Sequence, residues 1–394
     1  MRGSRPSRPE PYHSLWRRCL RARGALGLVL VASGVLAVVG EIWRDIGPHI
    51  DDMARLVRGG HALLSGQPPG DVLAVYPPSS VVQYVPLSLL PGNLSGVLTR
   101  LACVVILVWT VRTFGRSSDG RLQPWSLALL ISPPAIDLVR INQFNTALAL
   151  LALVLAWRFL RNGRPLLAGV ISGIAMSRPL NAIPAGLALT GGRTRRQARG
   201  FLLGGLAFVG MTVIVAFAWD RNMVHDVLTT GAHRPLVGIV GVVRSAFGII
   251  GVAVMLAVVG TLCWIVSAAR SDRPLDAFVV ALAISGLAVH VGGPYVAVFA
   301  LPGLARLAAT ASPWWAVSTA FVYSALLAAV PLTSGWASGW AVQLAFTLTP
   351  LVLAGLPVWL LYRPRSVAER GFKHEPSFAG PPSLSESSPA PAHA

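Results

Sequence analysis

Residues 25–43 read ALGLVLVASGVLAVVGEIW, an apolar run that predicts a membrane-crossing helix. Its length is close to the ~20 residues that a helix needs to span a bilayer. No small-residue cleavage site follows the run before Glu41 and Trp43, so we interpret it as a signal anchor. The Arg-rich segment 2–23 precedes it and is expected to stay in the cytoplasm. This run therefore predicts that residues 44–80 lie on the outer side of the membrane.

Composition extends this prediction to the whole chain. Of its 394 residues, 54% are hydrophobic and 12% are charged, and several further apolar runs approach the length of a membrane span. We predict an all-α, polytopic membrane protein. The predicted spans are approximately 25–43, 94–114, 124–137, 145–160, the segment 166–191, 200–219, 247–268, 275–290, 293–309, 314–332 and 341–361.

The net charge of +18 has a topological explanation. Arginines cluster in short segments between the predicted spans on the inner side, as the positive-inside rule describes, so we expect no nucleic-acid binding. Both termini are predicted to be cytoplasmic. Residues 1–24 form a basic tail, 25–362 the transmembrane domain, and 363–394 a Pro-, Ser- and Gly-rich tail that we expect to be disordered.

Segment 166–191 is about one crossing long, yet basic clusters flank both of its ends. A re-entrant hairpin of two short helices around Ser177-Arg178-Pro179 would resolve this and bring the number of helices to about twelve. Arms of ~12 residues at 1.5 Å per residue reach ~18 Å, over halfway through a ~30 Å hydrocarbon core. An arginine at that depth needs an anion, so Arg178 should face a cavity and meet either a lipid-linked phosphate or an internal carboxylate.

The acidic pair Asp51-Asp52 begins the outer segment of a chain that has few ionisable groups. Helical spacing would place Asp52, Arg55 and Leu56 on one face. A carboxylate near arginines at the membrane surface can accept a proton from a sugar hydroxyl, whereas acidic residues at a helix start more commonly cap the helix. The two uses are compatible, with Asp51 capping and Asp52 catalytic.

Further candidates lie at predicted outer turns. Tyr76-Pro77-Pro78 predicts a rigid turn into an interfacial helix, with the tyrosine at the bilayer boundary. Gln143 and Asn145 begin a span, where their amides either cap the helix or bind sugar hydroxyls. His290 and Tyr295 flank a tight Gly-Pro turn, where His290 serves either as a helix cap or as a base.

The order of these motifs along the chain resembles that of the polyprenyl-phosphate-sugar-dependent glycosyltransferases of GT-C type, specifically glycosyltransferase family 87. That family includes actinobacterial mannosyltransferases and arabinofuranosyltransferases. The matching elements, over roughly residues 45–310, are Asp52 before Ala62-Leu63-Leu64-Ser65-Gly66, then Tyr76-Pro77-Pro78, Gln143-x-Asn145 and Arg178-Pro179. The chain differs at Asn142, where the family commonly has Gly, and near His290, where some members carry paired histidines.

The resemblance implies a GT-C fold and inverting transfer of mannose or arabinofuranose from a polyprenyl phosphate. The implied acceptor is an envelope glycolipid or polysaccharide on the extracytoplasmic face. By position, Asp52 corresponds to the catalytic base, supported by Asp51, and Arg178 to a cation at the donor phosphate, with Arg58 as a second candidate. Sugar or acceptor contacts are expected from Tyr76, Gln143, Asn145, His290 and Tyr295. No cofactor and no metal are expected, because the sequence shows no nucleotide-binding fingerprint and no cluster of metal ligands.

Two other functions fit parts of the pattern. About twelve helices with cytoplasmic termini is also the plan of a secondary transporter or lipid flippase. However, no repeat relates the halves, and the acidic residues lie at the outer face instead of the midplane. A non-catalytic membrane scaffold would need neither Asp52 nor Arg178. The transferase is the favoured interpretation.

Overall fold

The computed structural model describes residues 52–67, 76–117, 120–219, 221, 239–288 and 298–310. Within these residues the chain is helical, and the only extended pairing is an isolated bridge between Arg116 and Leu122. The α-helices are α1 (Asp52–Leu64), α2 (Pro78–Ser88), α3 (Gly92–Phe114), α4 (Pro124–Leu127), α5 (Pro133–Arg140), α6 (Phe144–Arg161), α7 (Pro165–Ile174), α8 (Pro179–Thr190), α9 (Arg195–Trp219), α10 (Ile239–Ala269), α11 (Pro274–Ala288) and α12 (Leu301–Thr310). Short 3-10 helices occupy Ala128–Ile131, Ala175–Ser177 and residues 298–300.

Four helices of the described part are long and apolar enough to cross a membrane. They are α3, α6, α9 and the Val243–Ala269 part of α10, and they match the spans predicted at 94–114, 145–160, 200–219 and 247–268. Large apolar side chains are exposed along α9 and α10, among them Ile214 and Phe247, and such a surface suits contact with lipid. The spans predicted at 25–43, 314–332 and 341–361 and both predicted tails lie outside the described residues.

The prediction of one continuous span over 124–137 is wrong. The segment consists of α4, a 3-10 turn and α5, and Ser132 between them is extended, with φ −68° and ψ 144°. Ser132 precedes Pro133, and the ring of a proline pushes the preceding residue out of the helical conformation. Two adjacent prolines therefore divide this apolar run into short pieces.

Helices α7 and α9 pack backbone against backbone through glycines. A Cβ added to Gly169 would overlap the carbonyl oxygen of Phe201, and one added to Gly204 would overlap the backbone of α7. Four residues further along α7, a Cβ on Gly173 would lie 2.7 Å from Cβ of Phe208. Small residues of this kind let helices approach closely, which is a common means of packing in membrane proteins. The contacts advance in the same direction along both helices, so the two run parallel.

Helices α7 and α8 meet at Arg178, whose φ of −127° and ψ of 69° are not helical. They diverge from there, because α7 packs on α6 and α9 whereas α8 packs on α10 and α11. The residues beyond the far ends of the pair lie within electrostatic reach of each other. Burial lowers the pKa of Arg193, which follows α8, and the nearby Arg161, which precedes α7, lowers it further. The two helices therefore form a V with its apex at residues 175–178.

Helix α6 lies at the centre of the described core. Many of its side chains are buried, including Leu150 and Leu153, and Trp157 stacks on Phe278 of α11 with ring centroids 5.4 Å apart. Because α6 is held on several sides by packing, its first residues have a fixed position. Those first residues lie at the apex of the V.

Helices α1 and α2 pack together beside this core. Met53, Leu56 and Val57 follow the i, i+3, i+4 spacing of one helix face and are buried in a cluster with Tyr76 and Tyr84. Tyr76 is thus enclosed by protein and is only 6% exposed. Farther along, Nε1 of Trp219 donates to the Gln67 carbonyl at 2.7 Å, which ties the end of α9 to the chain after α1.

Candidate functional site

Arg178 lies at the break between the 3-10 turn and α8. Pro179 follows it, so its backbone is disfavoured in the helical conformation. Its carbonyl accepts hydrogen bonds from the N–H groups of Asn181 at 3.1 Å and Ala182 at 2.8 Å, and its own N–H donates to the Ala175 carbonyl at 2.8 Å. The backbone of Arg178 therefore starts α8.

The Arg178 guanidinium contacts both amides that the sequence had singled out. Its Nη2 donates to Oε1 of Gln143 and, at 3.3 Å, to Oδ1 of Asn145. Ser177 Oγ adds a bond to the Asn145 carbonyl at 3.4 Å. Arg178 thus forms one cluster with two candidates that precede it by more than 30 residues, and the two amide oxygens orient the guanidinium without adding charge.

Asn142 explains how Gln143 reaches this position. Its φ is 53°, in the left-handed region that Gly and Asn tolerate best. The Asn142 N–H donates to the Val139 carbonyl at 3.2 Å and the Gln143 N–H to that of Leu138 at 2.9 Å, which together form a Schellman motif at the end of α5. Asparagine can therefore stand where the family commonly has glycine.

Gln143 occupies the N-cap position of α6, but its side chain makes no capping hydrogen bond. From the sequence, its side chain was expected either to cap the helix or to bind sugar. The structure shows a third role for this side chain, because its oxygen accepts a hydrogen bond from Arg178.

Helix α2 fixes the apex through side-chain hydrogen bonds to carbonyl groups. A 3-10 turn between two helices leaves carbonyls without helical partners, and polar side chains can satisfy them. Three such hydrogen bonds, each 3.2 Å long, join α2 to the apex. Ser79 Oγ donates to the carbonyl of Met176, Ser80 Oγ to that of Ser177 and Gln83 Nε2 to that of Ile174.

Tyr84 lies one helical turn after Ser80 on α2 and is 1% exposed. Its ring meets that of Phe144 edge-on, with centroids 6.0 Å apart and an interplanar angle of 78°. Burial raises its pKa well above 10; Cys103 and Tyr76 raise it further, and Arg178 lowers it. The hydroxyl is therefore within electrostatic reach of Arg178. Sequence analysis missed Tyr84, although its i+4 spacing from Ser80 was visible.

The remaining candidates are less completely described. The backbone of Asp52 starts α1, whose buried face shares a cluster with Tyr76 and Tyr84. Arg58 is exposed on the same helix. Asp51, His290 and Tyr295 lie outside the described residues, so their predicted roles stay predictions.

A buried arginine within an apolar helix was also missed. Arg100 lies in the first half of α3 and is 7% exposed. It is one helical turn before Cys103, which interacts electrostatically with Tyr84. A charged residue within an apolar run of this length was the available sequence signal.

In the part of the chain that the structure describes, no group of three or more His, Cys, Asp or Glu side chains is placed to hold a metal ion. The comparisons with known proteins give one match. The family model for glycosyltransferase family 87 matches residues 74–293, a range that includes Tyr76, Gln143, Asn145 and Arg178 and begins after Asp52. No curated protein and no solved structure matches the chain.

Proposed function

The chain belongs to glycosyltransferase family 87 and is a membrane glycosyltransferase, and from this premise we propose its donor, its acceptor and its orientation. The donor is a polyprenyl phosphate carrying mannose or arabinofuranose. The acceptor is an envelope glycolipid or polysaccharide. Transfer takes place on the extracytoplasmic face, and both termini are cytoplasmic.

The observation that carries this proposal is the contact of Arg178 with Gln143 and Asn145 at the apex of the V. A guanidinium binds a phosphate through two parallel hydrogen bonds, and the paired amides hold it in one orientation from which to do so. A lipid-linked phosphate is an anion that can reach such a residue from within the membrane.

The depth of the apex supports a re-entrant arrangement of α7 and α8. Gly173, just before the apex, lies against Phe208, which is roughly midway along the 25 residues of α9. At 1.5 Å per residue, Phe208 is about 20 Å from the first residue of α9. If α9 crosses the bilayer, Arg178 lies inside its thickness, where an arginine requires an anion or a water-filled cavity.

The proposed reaction is a single displacement at the anomeric carbon. Asp52 accepts the proton of the acceptor hydroxyl as its oxygen bonds to the sugar. The bond between the anomeric carbon and the phosphate oxygen breaks, and its electron pair stays on the phosphate. The charge of the phosphate group changes from −1 to −2, and Arg178 stabilises this developing charge. Contacts of α1 with α2, and of α2 with the apex, support a shared site for Asp52 and Arg178.

Asp52→Asn tests the proposed base. The variant should bind polyprenyl phosphate like the native protein, because the amide keeps the shape of the carboxylate. Its turnover should fall by about 10²- to 10⁴-fold, as expected for loss of a general base. The measurement is sugar transfer by purified protein, with mannose and arabinofuranose donors compared side by side. Asp51→Asn is the matched control, and an inactive Asp51→Asn beside an active Asp52→Asn would move the role to Asp51.

Cysteine labelling tests the proposed orientation. With the native cysteines replaced, Asp71→Cys and Arg196→Cys provide one probe on each proposed side of the membrane. An impermeant thiol reagent added outside intact cells should label position 71 and miss position 196. The opposite pattern would place the site in the cytoplasm and contradict the proposed use of an extracytoplasmic lipid donor.

A further inference from the structure

Two buried hydrogen-bond donors beside Arg178 have no partner among the described residues. They are the Tyr84 hydroxyl and Nδ2 of Asn145, and their side chains are 1% and 2% exposed. Buried polar atoms are nearly always paired in folded proteins, because burial removes the hydrogen bonds that water would make. Two unpaired donors next to one guanidinium therefore indicate that a ligand completes the site.

The orientation of the Asn145 amide follows from its neighbours. Its Oδ1 accepts from the Thr146 N–H at 2.8 Å and from Nη2 of Arg178 at 3.3 Å. Both partners are donors, so the atom facing them must be the oxygen. The second terminal atom of the same planar amide is therefore the nitrogen, which presents N–H groups next to that oxygen.

The Tyr84 ring is held by packing. Its edge-on contact with Phe144 and the bonds of Ser80 and Gln83 to the apex fix both the ring and the helix that carries it. The hydroxyl interacts electrostatically with Arg178 and with Tyr76. It is thus a buried donor held in place by packing and lying within electrostatic reach of the guanidinium.

We propose that Tyr84 Oη and Asn145 Nδ2 donate hydrogen bonds to the phosphate of the lipid-linked donor and, with the Arg178 guanidinium, form one phosphate-binding site. This inference rests on the proposed function and adds residues to its site. Each of the three groups offers N–H or O–H to the ligand, which is the complement of an anion. During transfer the phosphate gains a negative charge, so hydrogen bonds to its oxygens become stronger in the transition state.

Neutral donors suit this step because they stabilise the phosphate at any working pH. Burial raises the pKa of Tyr84 well above 10, so its hydroxyl keeps its proton in the physiological range. Activity is therefore not expected to decline near neutral pH through ionisation of Tyr84.

Tyr84→Phe tests the hydroxyl, since it keeps the ring against Phe144 and removes one atom. We expect kcat to fall roughly 10- to 100-fold, the range for losing one donor to a developing charge. Without ligand, the thermal midpoint should stay equal or rise slightly, because a buried unpaired group has been removed. The rise in midpoint caused by added polyprenyl phosphate should become smaller.

Thr110→Val is the matched control. Thr110 is also fully buried, and its hydroxyl has no partner among the described residues, but it lies in the second half of α3. The control should keep the native rate of transfer and the native response to polyprenyl phosphate.

Asn145→Asp tests the amide nitrogen. This variant retains an acceptor for Arg178 and Thr146 and replaces the donor nitrogen by an oxygen. It should lose transfer and the response to polyprenyl phosphate.

The outcomes separate this inference from the function on which it rests. If polyprenyl phosphate does not raise the thermal midpoint of the native protein and the protein transfers no sugar from the sugar-linked form, the proposed function and this inference are both overturned. If the native protein does both and Tyr84→Phe behaves identically, the assignment of Tyr84 alone is overturned. A Tyr84→Phe protein that loses stability without ligand but keeps the native response would show a structural hydroxyl. Native transfer by Asn145→Asp would remove Asn145 from the site.

Discussion

The body of α7 and the apex at residues 175–178 belong to the same short segment but are built in different ways. Along the body, glycines bring α7 against α9 so closely that no Cβ fits at Gly169 or Gly204. At the apex, polar side chains surround Arg178, and buried donors at Tyr84 and Asn145 have no partner among the described residues. Packing accounts fully for the first arrangement. The second contains unpaired polar groups that folding alone does not favour, so it indicates a binding site.

The largest expected effect is at the apex. Arg178→Ala should lower sugar transfer by about 10²- to 10³-fold, because it removes the only cation that we assign to the phosphate oxygens. Arg178→Lys should lose less, since it keeps the charge but not the two-bonded fork. Steady-state transfer measures the loss of activity, and the thermal midpoint shows separately whether each variant is folded. A folded Arg178→Ala protein with native affinity and rate would show that the residue is structural, and the exposed Arg58 would then be the next candidate.

The body of α7 should respond through stability instead. Gly204→Ala places a methyl group against the carbonyl oxygen of Leu166, and such overpacking costs about 1–3 kcal/mol. Its neighbour Gly205 is the matched control, because a Cβ there lies 3.6 Å from the nearest atom, an ordinary contact. Thermal unfolding in detergent should show a lower midpoint for Gly204→Ala and no fall for Gly205→Ala. Equal midpoints would mean that the two helices separate easily, and the contrast with the apex would then be lost.

The smallest effect is expected at the turn that positions Gln143. Asn142→Ala and Asn142→Gly both remove the side chain, but only alanine is strained at a φ of 53°. The alanine variant should be less stable than the glycine variant by about 1–2 kcal/mol. The difference between their unfolding midpoints measures the cost of placing alanine in the left-handed conformation. If alanine were as stable as glycine, the left-handed turn would not be what fixes the start of α6.

Properties that depend on a short window of sequence were predictable. Apolar runs gave the positions of α3, α6, α9 and α10, because the length and hydropathy of a run decide whether a helix can cross a membrane. The break at Arg178 follows from Pro179, whose ring disfavours the helical conformation of the residue before it. The same rule applies to Ser132 and Pro133, so the break in the run at 124–137 was also predictable from the sequence.

The candidate site was predicted in parts. Gln143, Asn145 and Arg178 were each singled out, but for separate reasons and with separate roles. Tyr84 was missed because a tyrosine is unremarkable until its burial and neighbours are known, whereas Arg100 was visible in the sequence as a charge within an apolar run. The side chain of Asp52 is not among those described, so its role as base still rests on the sequence.

The sequence by itself determined where the chain is apolar, where prolines break it and which residues are able to hold a phosphate or accept a proton. These are local properties, set by side-chain hydrophobicity and backbone sterics within a few residues. Only the tertiary structure decided that the amide of Gln143 binds Arg178 from 35 residues away and that the Tyr84 hydroxyl lies within electrostatic reach of Arg178. The reason is physical: those contacts depend on how the buried α6 packs among its neighbours, and the unpaired donors of the site exist only once that packing has excluded water.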